Sequence, residues 1–371
     1  MSRKDLFDKP FDEGTMVKLE IFEKYLEVWL PTFVMSDFPN PIQIFDLFSG
    51  SGRDMNGISG SPLRIIEIIT KHINILKKQQ KVVYLFFNDI DRQKITLLEK
   101  LINDSIADAG LSSFIVVQYT NETFIRCLDL YRKCLNNGCN LIFVDQNGFK
   151  EVNEKVFKFL IGLQRTDFMF FISSTFIHRF ANRPEFANHH PNFDINRIRK
   201  TSRKLIHNVI CDEFEKYVPP EIKSYALFSF SIMKSDHNNI YGLIFVTKHI
   251  LGADKFLQTV WKKNAINGNA NYDIDDDLSK DQLDLFNGKL LTKIEKFQLE
   301  LRNKILDSKI SNNKEAYLFT INNGHISSHA DDKIRKMKRE KLIDFESKSS
   351  LVNYDQVCKK KRTLNFKLIK Q

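Results

Sequence analysis

The sequence predicts an α/β protein. A mostly parallel sheet, covered on both faces, ends in an antiparallel hairpin and is followed by a small helical unit with a β wing. Three observations predict it. Apolar strand-like runs alternate with helical stretches five times between residues 42 and 173. Those runs are almost continuously apolar, as strands buried on both faces must be. Two β-rich runs at 225–249 then flank a polar turn, the pattern of an antiparallel hairpin.

The elements come in order. Residues 16–30 set Leu19, Phe22, Leu26 and Trp29 at three- and four-residue steps, an amphipathic helix that docks on the domain after it. Residues 1–40 therefore read as an N-terminal helical segment. Strands are expected at 42–48, 81–87, 113–119, 140–145 and 167–173, with helices at 61–78, 92–109, 122–135 and 151–163. Ser61 suits an N-cap and Pro62 the first helical position. Residues 176–220 interrupt the alternation and read as a polar helical insertion. The hairpin turns at SDHNN (235–239), and a helix at 252–265 comes next, so the α/β domain is expected to span 41–267.

Residues 268–282 are polar and acidic and read as a solvated linker. They imitate a calcium loop through Asn271, Asp273 and Asp275. Asp276 stands where that loop needs glycine, and Gln282 where it needs glutamate, so the linker reading is preferred. A helix at 289–306 completes a segment 268–308. Residues 309–371 show a strand or short helix, a turn at Asn323-Gly324, a helix near 328–341 and two strands, the pattern of a winged helix-turn-helix.

Five parallel units closed by an antiparallel hairpin is the layout of a class I methyltransferase-like (Rossmann) sheet of the S-adenosylmethionine type. A dehydrogenase more often continues with parallel units. Ligands of such sheets sit at the carboxyl ends of the strands, beside the first. There lies IQIFDLFSGSGRD (42–54). Gly50 and Gly52 permit a tight turn and close approach of backbone to a cofactor. An ordinary βα turn is the alternative. Asp46 precedes the glycines and Ser49 shares their loop, so both join the cofactor set. The second strand ends in FNDID (87–91), where Asp89, or else Asp91, can accept hydrogen bonds from both hydroxyls of a ribose. Asn121 and Glu122, at the end of the third, would lie near an adenine edge. About eight extra residues separate Gly52 from the helix, and a third glycine is missing, which demotes NAD; no Walker motif offers ATP a site.

The fourth strand ends in FVDQNGF (143–149). In many base-modifying methyltransferases this corner carries Asp or Asn, then Pro, then an aromatic. Asp145 would hold a target amine and Phe149 stack on the base, whereas Gln146 and Asn147 depart from the pattern. A plain turn with a local aspartate cap is the alternative. No Pro-Cys nucleophile occurs here, which argues against 5-methylcytosine chemistry. His189 and His190 are adjacent, and neighbours seldom share one ion, so a solvated loop is expected and no metal site. His178 and Arg179 are candidates for a phosphate contact.

Net charge is +10, and residues 330–371 hold thirteen Lys and Arg against six Asp and Glu. Lys333, Arg335, Lys336, Lys338, Arg339 and Lys341 lie on one helix whose apolar positions are Ile334, Met337 and Leu342. One face can dock while the other meets the phosphates of DNA or RNA. A solvated face of a protein-binding winged helix is the alternative; the run KKKR (359–362) tilts toward nucleic acid. Five cysteines without a Cys-x-x-Cys pair suggest reduced thiols and a cytoplasmic location. No secretory signal and no membrane span are expected.

Together YLEVWLPTF, FDLFSGSGR, GSPLRIIE, FVDQNG, GADKFLQTVWK and FTINNGHISSHADDKIRKMKREK resemble the three-Cys-motif partner proteins, TcmP, over nearly the whole chain. The resemblance implies a methyltransferase-like domain followed by a winged helix. It also implies a partner, a three-Cys-motif radical-SAM-like protein of mobile elements or defence. The family corner is usually Asp-Pro-Phe-Gly; this chain keeps Asp145 and Gly148. The leading expectation is an S-adenosylmethionine-dependent methyltransferase, or methyltransferase-like protein, acting on nucleic acid. A non-catalytic nucleic-acid-binding or protein-binding partner that retains the fold is the alternative. A nuclease-like effector finds no paired-carboxylate metal cluster to support it.

Overall fold

The computed structural model describes residues 10–146, 148–234, 239–280 and 290–369. The chain divides into two units, Met1–Gly252 and Ala253–Gln371.

In the first unit, β1 (Ile42–Asp46), β2 (Val83–Asn88), β3 (Ile115–Thr120), β4 (Cys139–Val144), β5 (Thr166–Ile172), β6 (Ala226–Met233) and β7 (Ile240–Thr247) form one sheet. Their order is β3-β2-β1-β4-β5-β7-β6. The first five are parallel to one another, and β7 is antiparallel to both β5 and β6. This is the expected parallel sheet with its terminal hairpin; turn residues 235–238 lie outside the described residues. The chain runs outward from β1 to β3 and then returns to β4 on the other side of β1. The carboxyl ends of β1 and β4 therefore flank the topological switch point.

Both faces of this sheet are apolar and both are covered. Helix α1 (Glu13–Val34) covers one face, and Asp12 caps it by accepting from the Thr15 amide at 2.8 Å. Phe22 stacks on Phe143 of β4 with ring centroids 4.4 Å apart, and Tyr25 meets Phe245 of β7 edge-on at 4.7 Å. Tyr25 donates its hydroxyl to buried Asp167 at 2.7 Å. The N-terminal helix is thus a layer of the sheet domain. The crossovers are α2 (Ser61–Lys71), α3 (Ile73–Gln79), α4 (Arg92–Asp108), α5 (Phe124–Leu130), α6 (Arg132–Asn137) and α7 (Glu154–Gly162). The helix expected at 61–78 breaks at His72, and that at 122–135 at Tyr131. Gly60, not Ser61, is the N-cap of α2; Ser61 is its first helical residue and is buried.

The insertion forms α8 (Ser174–Phe180), α9 (Pro184–His189), α10 (Ile195–Lys200) and α11 (Ile206–Glu215). It is not simply a polar excursion. Its sparse apolar residues turn inward, and Phe186, Phe193, Phe214 and Tyr217 join Phe157 over Phe168 and Phe170 on the opposite face.

The second unit begins inside α12 (Ile250–Lys263), ahead of the boundary expected at 267. The reason is Trp261. Its Nε1 donates to Gly324 O at 2.8 Å, and its ring packs against His325 and His329. Nor are residues 268–280 a solvated linker. Ala270, Ile274 and Asp277 are buried, and the Asp273 carboxylate accepts from the amides of Asp277 and Leu278 at 2.8 and 2.9 Å. Gln282 lies outside the described residues. Helices α13 (Lys293–Leu306), α14 (Asn313–Asn322) and α15 (Ser327–Arg339) enclose Phe297, Leu301, Tyr317, Ile321, Ile334 and Met337. Strands β8 (Ile343–Asp344) and β9 (Lys367–Leu368) pair antiparallel, and Asn312 bridges Asn365. Three helices and this wing make the expected winged helix-turn-helix, with Gly324 at φ 72° in the turn between α14 and α15.

Gly242 is the tightest point of the sheet core. A Cβ there would lie 2.0 Å from Nε2 of His207, which is buried and paired with Ser174 Oγ at 2.8 Å and Leu243 O at 3.0 Å. Gly242→Ala is expected to destabilise the protein by about 2–3 kcal/mol, read as a lowered urea midpoint. An unchanged midpoint would mean that His207 has room to move.

Candidate functional site

The site is built from the carboxyl ends of β1, β2 and β4. Strand β1 delivers Asp46 to the edge, fully buried. Its Oδ1 accepts a long bond from the Phe48 amide at 3.4 Å, and its Oδ2 has no partner. Burial pushes this carboxyl up to about 7. Ser61 and the Phe48 amide hold it down, while the nearby carboxylates of Asp145 and Asp89 raise it further.

The glycine loop comes next. Gly50 and Gly52 have φ of 61° and 88°, the left-handed region that favours glycine. A Cβ on Gly52 would meet Leu98 and Leu101 of α4 at 2.8 and 2.9 Å, so helix packing also demands glycine there. The extra residues after Gly52 close on themselves. Arg53 bridges Ser59, the Asp54 carboxylate accepts from the amides of Asn56, Ile58 and Phe11, and Gly60 N donates to Gly52 O at 2.9 Å.

Asp89 stands across from the loop, partly exposed. Its Oδ2 accepts from Gly50 N at 3.1 Å and its Oδ1 from Asp91 N at 2.9 Å. Asn121 lies beside it, donating to Asp89 O at 2.9 Å. Asp46, Gly50, Gly52, Asp89 and Asn121 are therefore brought together. Two other expected cofactor residues have structural work. Ser49 is buried, donating its hydroxyl to Asp46 O at 2.6 Å and accepting from Asn88 N at 3.2 Å. Asp91 is the N-cap of α4, accepting from Gln93 N at 2.9 Å, because its carboxylate turns back onto the helix it precedes. Sequence reasoning passed over Asn88. Buried at the end of β2, it donates to Leu47 O and Glu122 O and accepts from Glu122 N, tying the three loops together.

The corner after β4 holds a larger surprise. Asp145 is ion-paired with Lys18 of α1, and Lys18 is buried. The Lys18 ammonium also lies over the Phe171 ring, 4.6 Å from its centroid. The only sequence signal for Lys18 was a lysine within an otherwise amphipathic helix. Phe149 does not stand free to stack. It is buried among Phe176, Phe186 and His190, because the insertion covers it. Gln146 is buried, its Oε1 accepting from Glu151 N at 2.9 Å and its Nε2 left without a partner. Asn147 lies outside the described residues.

His190 is no solvated loop residue. It pairs with Phe149 O at 2.9 Å and Tyr217 Oη at 3.2 Å, and burial pushes it down to about 4. His178 is half-buried, its Nε2 enclosed without a partner, while Arg179 is exposed. Among the described residues no group of three His, Cys, Asp or Glu is placed to hold a metal ion. Nor is any described helix long and apolar enough to cross a membrane.

In the second unit, α15 buries Ala330, Ile334 and Met337 and turns its basic residues outward. Arg335, Lys336, Arg339 and Lys341 are exposed and Lys333 is half-buried. Lys338 is engaged by the wing: it pairs with Asp344 at 3.1 Å, donates to Phe345 O and lies 4.2 Å from the Phe345 ring centroid.

Comparison with known proteins bears on both units. Residues 271–350 match the family model of the GMT-like wHTH domain. The second unit carries a winged helix-turn-helix. No curated protein matches the chain. Among solved structures, the chain is similar to the methyltransferase domain of bacterial CtHen1-C at 12% identity, over 61% of this chain and 96% of that one, with a TM-score of 0.30. It is similar to the CtHen1-CN form at 11%, over 60% and 99%, with a TM-score of 0.29. It is also similar to an arsenic(III) S-adenosylmethionine methyltransferase from Chlamydomonas reinhardtii at 14%, over 61% and 72%, with a TM-score of 0.30.

Asp46 makes a pH prediction. Its folded value of about 7 lies above the ordinary 3.8, so between them the folded protein holds a proton that the unfolded chain releases. Its contribution to stability is present at low pH and is lost as pH rises through about 7. Between about pH 5 and pH 8 wild type should lose roughly 1–3 kcal/mol more stability than Asp46→Asn, measured by urea unfolding. Equal losses would mean that Asp46 stays ionised throughout.

Proposed function

We propose that the chain is an S-adenosylmethionine-dependent methyltransferase acting on nucleic acid, its first unit carrying the transfer and its winged unit contacting the strand. The observation that carries this reading is the Asp46 carboxylate: buried at the carboxyl end of the first strand, with one oxygen lacking a partner. A buried acceptor without a partner is costly, and the ammonium of a methionine moiety would satisfy it. The left-handed Gly50–Gly52 turn lets backbone approach the same ligand. Asp89 is partly exposed and would accept from ribose hydroxyls, and Asn121, bonded to Asp89 O, would lie toward the adenine. S-adenosylmethionine supplies an activated methyl group, so the protein's task is to position the acceptor. Asp145 would orient a nucleobase amine with the oxygen that Lys18 leaves open. Arg335, Lys336, Arg339 and Lys341, joined by Lys333, would meet phosphates and add no sequence selectivity.

The resemblance to three-Cys-motif partner proteins supplies the biological setting of this reading. A radical-SAM-like three-Cys-motif protein of a mobile element or defence system would be the partner. Five unbridged cysteines suit a reducing cytoplasm. A second reading, a non-catalytic nucleic-acid- or protein-binding partner that retains the fold, is favoured by two observations: Asp145 already carries Lys18, and Phe149 is buried.

Calorimetric titration with S-adenosylmethionine and S-adenosylhomocysteine separates the two. Micromolar binding is expected, weakened at least about tenfold by Asp89→Ala, whereas Asp91→Ala should leave affinity unchanged and cost about 1 kcal/mol of stability as a lost cap. No binding by folded wild-type protein would leave the partner reading standing.

The winged unit is tested by salt. Lys336→Gln combined with Arg339→Gln should lower the slope of log K against log salt by about 1–2 for oligonucleotide binding. An unaltered slope would move the contact off α15.

A further inference from the structure

Next to the corner after β4, a pocket of about 330 Å³ opens at the sheet edge where β5 ends and β7 begins. Phe149, Lys150, Phe171, Phe176 and Tyr241 line it. The rings of Phe171 and Tyr241 are parallel, 5.5 Å apart and 12° from coplanar. Phe149 and Phe176 face each other at 5.8 Å and 29°. Phe176 is 44% exposed, a large ring left open to solvent at the mouth of a pocket. Cations frame these rings. Lys18 Nζ lies 4.6 Å from the Phe171 centroid and Lys234 Nζ 4.5 Å from that of Tyr241. Flat apolar walls suit a planar ring. Lys18 and Lys234 are already paired with Asp145 and Asp12, and Lys150 is the cation in the pocket lining that would meet a phosphate.

The polar partners narrow the ring further. Lys18 has three N–H donors and Asp145 accepts one. Lys18 is buried behind Phe171, which lines the pocket, and a second of its donors would be left for an acceptor in a ring. The other oxygen of Asp145 can accept from an amine beside it. An exocyclic amine next to a ring acceptor is found on adenine, cytosine and guanine; thymine and uracil lack the amine.

We propose that this pocket receives one unstacked, amino-bearing nucleobase of the bound strand. The base lies against Phe176 and the Phe171–Tyr241 pair, Lys18 donates to its ring acceptor, and Lys150 meets the adjoining phosphate. The inference rests on the nucleic-acid methyltransferase reading and deepens it. The stacking residues are then Phe176 and Tyr241, supplied by the insertion and the hairpin, while Phe149 forms the floor.

The test is photocrosslinking of full-length protein to single-stranded oligonucleotides holding one 5-iodocytosine or one 5-iodouracil, with crosslinked peptides mapped by mass spectrometry. Crosslinks are expected in peptides holding Phe176 or Tyr241, with 5-iodocytosine at least about tenfold above 5-iodouracil. Phe176→Ala, an exposed position that should fold, is expected to lower that yield about tenfold at saturating oligonucleotide. Lys18→Met should erase the preference for cytosine. Crosslinks confined to the C-terminal unit, or a yield indifferent to Phe176→Ala, would overturn the proposal. Calorimetry on the same preparation keeps the two readings apart: slot crosslinks without S-adenosylmethionine binding support the slot and sink the methyltransferase reading. Cofactor binding with crosslinks only in the C-terminal unit does the reverse.

Discussion

A sheet whose central strands are buried on both faces must be covered on both, and the rest of the first unit depends on that constraint. Every residue of β1 and of β4 is buried. Exposing either face would forfeit about 25 cal/mol for each Å² of apolar surface returned to water. The crossover helices do not suffice, so α1 and the insertion complete the two layers. This has a chemical consequence. The layer formed by α1 brings Lys18 to the carboxyl edge beside Asp145, and the layer formed by the insertion seals Phe149 while leaving Phe176 at the mouth of the pocket. The cover that stabilises the sheet also determines which groups face the site.

The same constraint explains what could be read from the sequence. Continuous apolar runs reveal doubly buried strands, and the order of units reveals the hairpin, so the sheet was legible. Asp46, Asp89 and the two glycines were legible because they sit at fixed offsets from a strand end. Lys18 was not, since its partner is 127 residues away and nothing local distinguishes it from a surface lysine. Ser49 and Asp91 have the right chemistry for a ligand, but a short side chain at a turn or helix start finds backbone amides and carbonyls first. Residues 268–280 looked solvated because their polar side chains are many. Those side chains instead hydrogen-bond the backbone of a folded turn.

Two buried carboxylates show how a site differs from a structural network. Burial raises both Asp46 and Asp167. Asp167 has the hydroxyl of Tyr25 against one oxygen, and Thr247 also holds it down. It therefore pins α1 to the sheet and has little to offer a ligand. Asp46 has the Ser61 side chain near its carboxyl, an Oδ2 with no partner at hydrogen-bonding geometry, and two acidic neighbours that resist its ionisation. It gains most from a group that brings both a proton donor and positive charge. In the proposed function it is this unmatched oxygen, more than the glycines, that would receive the ammonium.

In the second unit the charge excess near the C-terminus is not a loose tail. Asn313 is buried at the start of α14; its Nδ2 donates to Leu351 O and Arg362 O, and its Oδ1 accepts from Leu364 N at 2.8 Å. One amide thereby fixes both ends of the wing segment that carries Lys359, Lys360, Lys361 and Arg362. Lys338 serves the same end, giving up an exposed charge to tie α15 to the base of the wing. Fixing this backbone in advance would lower the ordering cost for any anionic partner that these cations meet. Under the proposed function such preset cations would hold a strand with little regard to its sequence.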